Sequence, residues 1–507
     1  MKRESDLMRY IDYMQLNPFQ KFGYNFANFF KKLPSNLARF FKAVGKAIVG
    51  FFVGIGKGFA NYGKRFVKGD VFVKLSYLIF GVSNMVRGQI IKGLLFLISE
   101  AAYICFMLFF GINYISKFGT LGTVETTEQL SADGFTYEKV YGDNSMLILL
   151  YGVLVIVVTV IFFAIYIANT KSAYKVYEDK KEGRKILGFK DEMYQFLDEK
   201  FHITLMSIPC ILIGCFTILP LVFMILIAFT NYDNAHQPPG NLFTWVGLQN
   251  FGDLVSITNG ATKAKTFVNL AQWTIIWAIF ATFSNYIAGM IVALMINKKG
   301  IKLKALWRTL FVVVIAVPQF VSLLLMSQML QENGAINQFL SLITGQNIGY
   351  KFLNSPLSAK ITVIIVNIWI GIPYTILITS GILMNIPADL YESATIDGAG
   401  PVKSFMKITL PYMLFVTTPY LITSFIGNIN NFNVIYLLTN GGPTTEEFYN
   451  AGHTDILVTW LFKLTMGQTH DYNLAAAIGI LVFIVCATLS LITFNLTKSA
   501  KDEEAFS

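Results

Sequence analysis

Long apolar runs constrain this chain more than any other feature. Eight of them approach or exceed the roughly 20 residues that an α-helix needs to cross a hydrocarbon core of about 30 Å. Backbone polar groups find no water in that core, and a helix pairs them internally. We therefore predict an all-α membrane protein with eight transmembrane helices, at Leu94–Ile115, Met146–Ala168, Ile208–Phe229, Leu270–Ile296, Leu310–Leu330, Ile361–Leu383, Tyr412–Ile429 and Leu474–Phe494.

Composition and charge agree with this class. Of the 507 residues, 54% are hydrophobic and 14% are charged, whereas soluble domains contain about 25% charged residues. The net charge is +10, and lysines and arginines concentrate in residues 1–90 and in alternate loops. Cytoplasmic loops carry such an excess, so the charge indicates the cytoplasmic membrane face rather than nucleic acid binding.

The charges of the loops predict the topology. Loop 116–145 is mainly acidic, whereas loops 171–200 and 298–308 are rich in lysine and arginine. This alternation places the two basic loops inside the cell and the acidic loop outside. We predict a multi-pass protein of the bacterial cell membrane with both termini in the cytoplasm.

The region before the first span has helical apolar spacing over Leu37–Phe59, with interspersed positive charges. Such a helix lies on an anionic leaflet or packs on the protein's own cytosolic face. Val71–Met85 is apolar but short, which favours an interfacial or re-entrant segment over a ninth span. We predict three regions: an N-terminal extension at 1–90, two accessory spans at 91–200 and a core at 201–507.

The sequence offers no catalytic centre, so we predict neither an enzyme nor an intramembrane protease-like site. The four cysteines lie inside apolar runs without metal-ligand spacing, and the four histidines are scattered. We expect no disulfide framework and no metal site. The GxxxxGK[ST] string of phosphate-binding loops is also absent from the sequence.

The loop between the predicted sixth and seventh spans, residues 385–411, has the local signals of a short helix. Asp389 is a candidate N-cap, with Glu392 three residues later as its capping-box partner. Gly398 supplies a stop, and Pro401 favours the start of a second helix that continues into the next span. A solvated connector and a docking helix for a partner protein both fit these signals.

The same loop resembles the EAA motif of permeases in ATP-binding-cassette (ABC) importers. The motif's residues stand here at its spacing: Glu392, Ala394, Gly398, Ile408 and Pro411. Ser393 replaces the usual second alanine. In that family the loop is the coupling helix, which inserts into a groove of the nucleotide-binding subunit. The resemblance implies a docking element formed by Glu392, Ala394, Asp397 and Gly398.

Over residues 204–500 the chain resembles, more narrowly, the MalF-type permeases of maltose and maltodextrin importers. The resemblance is carried by blocks that include 316–318 (AVP), 367–374 (NIWIGIPY), 430–432 (NNF) and 441–443 (GGP). Such permeases have two accessory spans before a six-span core, as predicted here. This chain departs from the pattern in its short external stretch, Asp233–Phe267, and in its long basic N-terminal extension.

Uncharged polar residues within the spans form a candidate ligand site. Amides and a phenol suit a sugar, whose hydroxyls donate and accept hydrogen bonds, although interhelical hydrogen bonds explain each of them equally well. The resemblance implies that a midmembrane sugar site is lined by Gln319, Asn367, Ile370, Gly371, Tyr374, Gly427, Asn428 and Asn431. Gly427 stands where an aromatic is frequent and Gln319 where a smaller polar residue occurs, and both departures bear on which sugar fits.

The resemblance also implies the protein's function and partners. It indicates the transport subunit of an oligosaccharide importer, with maltose or maltodextrin as the leading expectation, working with a second MalG-type permease, two subunits that bind ATP and magnesium, and an extracytoplasmic sugar-binding protein. We expect no cofactor on this chain. The alternative is a secondary transporter driven by an ion gradient, which needs ionisable residues at midmembrane. Glu100 in the first span is a candidate, and pairing with a neighbouring helix or lysine explains it as well.

Overall fold

The computed structural model describes residues 42, 45, 46, 49, 50, 53, 54 and 56–496, apart from 132–134, 257–260 and 299. Seven helices in this part of the chain are long and apolar enough to cross a membrane, and one bent helix pair supplies an eighth span. The prediction of an all-α membrane protein is confirmed, with eight spans when the bent pair is counted as one span. Numbered in chain order, the spans are Ile90–Lys117, Ser145–Lys181, Phe201–Ile227, Thr262–Asn297, the pair Lys304–Ala316 and Gln319–Met329, Pro356–Met384, Pro401–Ile429 and Tyr472–Leu491.

The fifth span differs from the single helix predicted over Leu310–Leu330. Its two helices meet at an angle of 88°. The first ends in the 3-10 turn Val314–Ala316, and Val317 is extended, with φ −78° and ψ 123°. A residue that precedes proline avoids the helical region, so Pro318 forces this break and then stands as the N-cap of the second helix.

Shorter elements connect the spans. The first, third and seventh spans each contain one π-helical turn, at Met107–Gly111, Gly214–Ile218 and Phe405–Thr409. An antiparallel hairpin joins Thr127–Leu130 to Tyr137–Val140. Residues 56–68 are helical. Further short helices are Val71–Leu75, Val82–Val86, Phe189–Leu197, Gln249–Asp253, Ala335–Thr344, Ala388–Ile396, Phe432–Thr439 and Leu457–Met466.

The chain divides into two compact units. One unit takes its described residues from 1–110 and 155–208, and the other from 111–154 and 209–507. The boundaries that we predicted from the sequence at residues 90 and 200 stay a prediction. About half of the helix predicted over Leu37–Phe59 lies outside the described residues, and the residues described within it, 42, 45, 46, 49, 50, 53, 54 and 56–59, are all helical.

In the first unit, the apolar segment before the first span forms two five-residue helices rather than a span. Gly81 turns the chain between them in a left-handed conformation, with φ +77°. The backbone N–H of Phe80 donates to the Glu100 carboxylate at 2.8 Å, and the N–H of Gly81 donates to the Asn169 side chain at 2.9 Å. The carboxylate in the first span therefore has a structural partner, which removes the main reason to consider it a proton relay.

In the second unit, the fourth and sixth spans pack closely through small residues. A Cβ at Gly289 on the fourth span would collide with the side chain of Thr375 on the sixth. Trp277 of the fourth span is fully buried, and its indole N–H donates to the backbone carbonyl of Asn428 at 3.0 Å. These contacts fix the fourth, sixth and seventh spans around the candidate site.

Candidate functional site

The break in the fifth span leaves a narrow cleft of about 20 Å³ against the sixth span. From the fifth span it is lined by Val317, Gln319 and Ser322, and from the sixth by Trp369, Ile370, Pro373 and Tyr374, with two further apolar residues, Val314 and Ile315, before the break. Non-helical backbone at membrane depth is tolerated only where protein buries it or where it borders a cavity. The cleft supplies such a border.

Two aromatic side chains that line the cleft are partly exposed. Trp369 is 46% exposed and Tyr374 is 49% exposed. No charged residue lines this cleft. An uncharged lining with exposed aromatic faces and a few hydroxyl or amide groups can stack against a sugar ring and pair with its hydroxyls.

The structure brings three of the predicted site residues together in this cleft, namely Gln319, Ile370 and Tyr374. The other five do not line it. Trp369 and Ser322 were missed, although signals for both were present. Trp369 lies inside the 367–374 block, and Ser322 follows Gln319 by three residues, which places both on one helix face.

Gly371 has a packing role that its sequence did not indicate. A Cβ at this position would collide with the side-chain amide of Asn285 on the fourth span. The sixth span runs without a break from Pro356 to Met384, through Pro373. The missing side chain at Gly371 admits the amide of Asn285 from the neighbouring helix.

Two buried amides near this helix crossing lack partners. In the described part of the chain, Asn367 Nδ2 and Asn285 Oδ1 are buried and make no hydrogen bond. Leaving such a group unpaired costs about 1–3 kcal/mol. A donor and an acceptor kept unpaired at this cost are available to a water molecule or to a polar ligand. Sequence reasoning missed Asn285, although it is an amide within a span, the same signal that selected Asn367.

Asn428 and Asn431 serve structural hydrogen bonds. Asn428 Nδ2 donates to Thr282 Oγ1 at 3.0 Å and Asn431 Nδ2 donates to Asn428 Oδ1 at 3.2 Å. Asn431 Oδ1 accepts from the backbone N–H of Val434 at 3.3 Å and caps the helix that follows. Gly427 beside them is exposed, and no atom lies within 4 Å of where its Cβ would be. These hydrogen bonds therefore hold this end of the seventh span in place, and its surface at Gly427 is exposed.

The helix Ala388–Ile396, which we call the loop helix, forms within the loop that carries the EAA-like string. It begins after Pro387, which is its N-cap and makes no side-chain bond. The predicted capping box of Asp389 and Glu392 is therefore wrong. Asp389 lies in the first turn instead, where its carboxylate faces the positive end of the helix dipole. Proline, with φ fixed near −65°, starts the helix by itself.

The stop at Gly398 is confirmed. Gly398 has φ +72°, a conformation that glycine adopts without steric cost. The N–H of Ala399 donates to the carbonyl of Ala394 at 2.8 Å, and that of Gly398 donates to Thr395 at 3.0 Å. This is the Schellman arrangement. The second helix starts at Pro401, as predicted.

The loop helix is exposed along its length. None of its residues is buried. Leu390 is 46% exposed and Ile396 is 87% exposed, and Val402 in the following turn is 76% exposed. Apolar side chains on a short exposed helix favour burial against another molecule. Of the predicted docking residues, Glu392, Asp397 and Gly398 are exposed and Ala394 is partly buried.

The chain has clear relatives. The family described as the inner membrane component of binding-protein-dependent transport systems matches residues 285–500. The maltodextrin transport system permease protein MdxF of Bacillus subtilis is 34% identical over 436 residues, covering 84% of this chain and 95% of that protein. The galactooligosaccharides transport system permease protein GanP of the same organism is 33% identical, covering 84% and 97%. The maltose/maltodextrin transport system permease protein MalF of Escherichia coli (strain K12) is 35% identical over 279 residues, covering 54% of this chain and 52% of that protein.

Proposed function

The chain belongs to the MalF-type sugar permeases of binding-protein-dependent ABC importers, and from this premise we propose that it conducts a neutral oligosaccharide, with maltodextrin as the leading substrate. As a member of this family with several apolar helices, it is a multi-pass membrane protein. The proposed substrate rests on the chemistry of the cleft beside the broken fifth span. Relatives that cover most of this chain are named for maltodextrin or for galactooligosaccharides, and the neutral lining suits either.

We assign the eight predicted site residues two kinds of role. Gln319, Ile370 and Tyr374 line the cleft and would contact the sugar directly. Asn367 has a buried donor without a partner among the described residues, which a sugar hydroxyl would satisfy as the cleft changes shape. The remaining residues have a structural role. Contacts with Asn285 and Thr282 hold the surrounding helices together, and they involve Gly371, Asn428 and Asn431. Gly427 leaves the surface of the seventh span exposed.

The loop helix is the proposed site of coupling to an ATPase. Its exposed apolar residues and its position between the sixth and seventh spans suit insertion into a groove of an ATP-binding subunit. The partner would bind ATP and magnesium, and its movement would displace the loop helix as a lever. The other proposed partners are a second permease of MalG type, a second ATP-binding subunit and an extracytoplasmic sugar-binding protein. Both termini would then lie in the cytoplasm.

Reconstitution in proteoliposomes tests this proposal. With the ATP-binding subunits, the second permease and the binding protein present, we expect uptake of maltodextrins that requires ATP, and little uptake of acidic oligosaccharides. A Glu392→Lys variant should hydrolyse ATP with little sugar uptake, because its charge is reversed on the docking surface. Uptake by the isolated chain without any ATPase would refute the proposal, and so would normal coupling in the Glu392→Lys variant.

A further inference from the structure

A pocket in the first unit lies at the end of the helix Ser145–Lys181, in the loop region predicted to be cytoplasmic. It is lined by Phe72, Val86, Arg87, Tyr177, Lys180 and Lys181, with Asp70 at its base. Its volume is about 220 Å³. Neither the transport pathway nor the loop helix uses any of these residues.

The floor of the pocket is rigid. The Arg87 side chain is 4% exposed and bonds to the Asp70 carboxylate at 2.6 Å. It also donates to the carbonyl of Ser83 at 3.1 Å, and its guanidinium lies 5.4 Å from the centre of the Tyr177 ring. The other oxygen of Asp70 accepts from the N–H of Val73 at 3.0 Å. The single carboxylate of the pocket is therefore neutralised by Arg87 and by hydrogen bonding.

Two uncompensated positive charges stand at the rim. Lys180 and Lys181 are exposed, and neither forms an ion pair with a residue that the structure describes. Of the acidic residues in these turns, Asp179 and Glu182 are already engaged with Arg184, whereas Glu178 forms no ion pair with a described residue and does not line the pocket. Asp179 binds Arg184 at 3.0 Å and Glu182 binds it at 2.6 Å. The two ammonium groups are thus free to attract an anion.

The pocket also has apolar lining residues. Phe72 is 42% exposed and Val86 is 50% exposed, and nearby Val71 and Leu78 are each 74% exposed. Val71 and Phe72 belong to the first of the two short helices before the first span, Val86 to the second, and Leu78 to the turn between them, so this segment exposes several apolar side chains. In a membrane protein such side chains lie among acyl chains at the interface. A free phosphate ion makes no use of apolar lining residues, whereas a phospholipid matches both these residues and the lysines.

We propose that this pocket binds an anionic phospholipid of the cytoplasmic leaflet. The lipid phosphate would lie between Lys180 and Lys181, with Arg87 behind it, and an acyl chain would cover Phe72 and Val86. Basic residues beside a membrane surface each add about 1 kcal/mol of attraction to anionic lipid. The bound lipid would tie the two short helices to the end of the second span and so stabilise the unit that precedes the transport core.

Lipid titration of the purified full chain, followed by native mass spectrometry, tests the proposal. The probes are phosphatidylglycerol, phosphatidylcholine and inorganic phosphate. We expect the tightest lipid to be phosphatidylglycerol. Substituting Lys180→Gln with Lys181→Gln should weaken this binding about 30-fold and leave binding of phosphatidylcholine unchanged. Both side chains are exposed, so the variant should fold, which an unchanged melting temperature in detergent without added lipid would verify.

The matched control is Lys298→Gln with Lys302→Gln, which removes the same charge from exposed positions in another basic loop. It should bind phosphatidylglycerol as the parent does. Equal losses in both double variants would show a general charge effect and refute the pocket. Undiminished binding in the Lys180 and Lys181 variant would refute it as well. A further variant, Phe72→Ala, tests the apolar part of the pocket. If inorganic phosphate displaced phosphatidylglycerol and Phe72→Ala did not weaken lipid binding, the pocket would be a site for soluble phosphate and the lipid proposal would be refuted.

Discussion

The hydroxyl groups of Tyr391 and Thr409 lie 2.8 Å apart, and their hydrogen bond joins the loop helix to the seventh span. Thr409 is buried at the end of the π turn Phe405–Thr409, whereas the loop helix has no buried residue. The bond therefore links an exposed docking element to a packed part of the transmembrane core. A force applied to the loop helix reaches the seventh span through this contact as well as along the backbone.

Replacing Tyr391 by Phe should loosen this link without removing the aromatic ring. One such hydrogen bond contributes about 1 kcal/mol, so we expect the chain to fold and the complex to assemble. The amount of sugar transported per ATP hydrolysed should fall severalfold, because the movement of the loop helix would be transmitted less completely to the seventh span. Paired measurement of uptake and phosphate release in proteoliposomes checks this ratio. Tyr194→Phe, at a side chain that is 72% exposed, is the control, and an unchanged ratio in the Tyr391 variant would contradict the prediction.

Removing an aromatic face from the cleft should weaken sugar binding. Tyr374→Ala deletes a ring that is 49% exposed, so little folding energy is lost. Stacking by one aromatic ring contributes about 0.5–1.5 kcal/mol, and we expect the KM for uptake to rise about threefold to tenfold. Assembly with the partner subunits should be unaffected. The control is Tyr350→Phe, which keeps an exposed ring outside the cleft and should leave KM unchanged. If the Tyr374→Ala variant had the same KM as the parent, Tyr374 would be excluded from the sugar site.

The loop before the eighth span should make stability depend on pH near neutrality. Burial and the positive charge of Lys360 lower the pKa of His453, only partly offset by Glu447. Because the folded-state pKa is below the unfolded value of about 6.5, the unfolded chain takes up the proton first as the pH falls. Stability is therefore complete above the unfolded pKa and declines from there toward the lower folded pKa.

Melting temperatures of the purified chain between pH 7.5 and pH 5 measure this effect. We expect the parent chain to lose thermal stability as the pH falls through about 6.5, and the decline to be shallower in a His453→Gln variant. His236→Gln is a suitable comparison, since His236 lies in another loop and its imidazole pairs with Asp233 at 2.7 Å. Identical pH profiles for the parent and the His453 variant would show that this histidine has no part in the dependence.

The sequence identified the spans and the loop helix for simple physical reasons. The length of an apolar run is a direct requirement of the bilayer, and Gly398 marks a left-handed stop whatever surrounds it. The break in the fifth span could also have been predicted, because Val317 precedes a proline. The apolar run on both sides of it is long enough to suggest a single helix, and this hid the break. Local signals misled at Asp389, since Pro387 starts the helix two residues earlier.

The arrangement of the site depends on contacts between distant residues, which spacing alone cannot supply. Gly371 and Asn285 are far apart in the sequence, and only the crossing of the fourth and sixth spans shows that the glycine accommodates the amide. Likewise, nothing local to Asn428 indicates that its side chain already bonds to Thr282. Residues chosen because they are polar and membrane-embedded therefore divide into those that face the cleft and those that hold the helices.

A buried ion pair in the loop region before the eighth span gives a sharp test of the stability of the second unit. Asp455 is completely buried, and its carboxylate bonds to Lys463 Nζ at 2.6 Å and accepts from the N–H of Gly452 at 2.7 Å.

Lys463→Met would leave the carboxylate buried without its partner, which costs about 3–5 kcal/mol. The melting temperature should fall sharply, and adding Asp455→Asn should restore part of the loss. Lys265→Met breaks a pair of similar length, 2.8 Å, whose side chains are 52% and 67% exposed, and it should change the melting temperature little, because exposed ion pairs contribute little to stability. Similar melting temperatures for the two lysine variants would contradict the stabilising role assigned to the buried pair, because burial is the property that separates them.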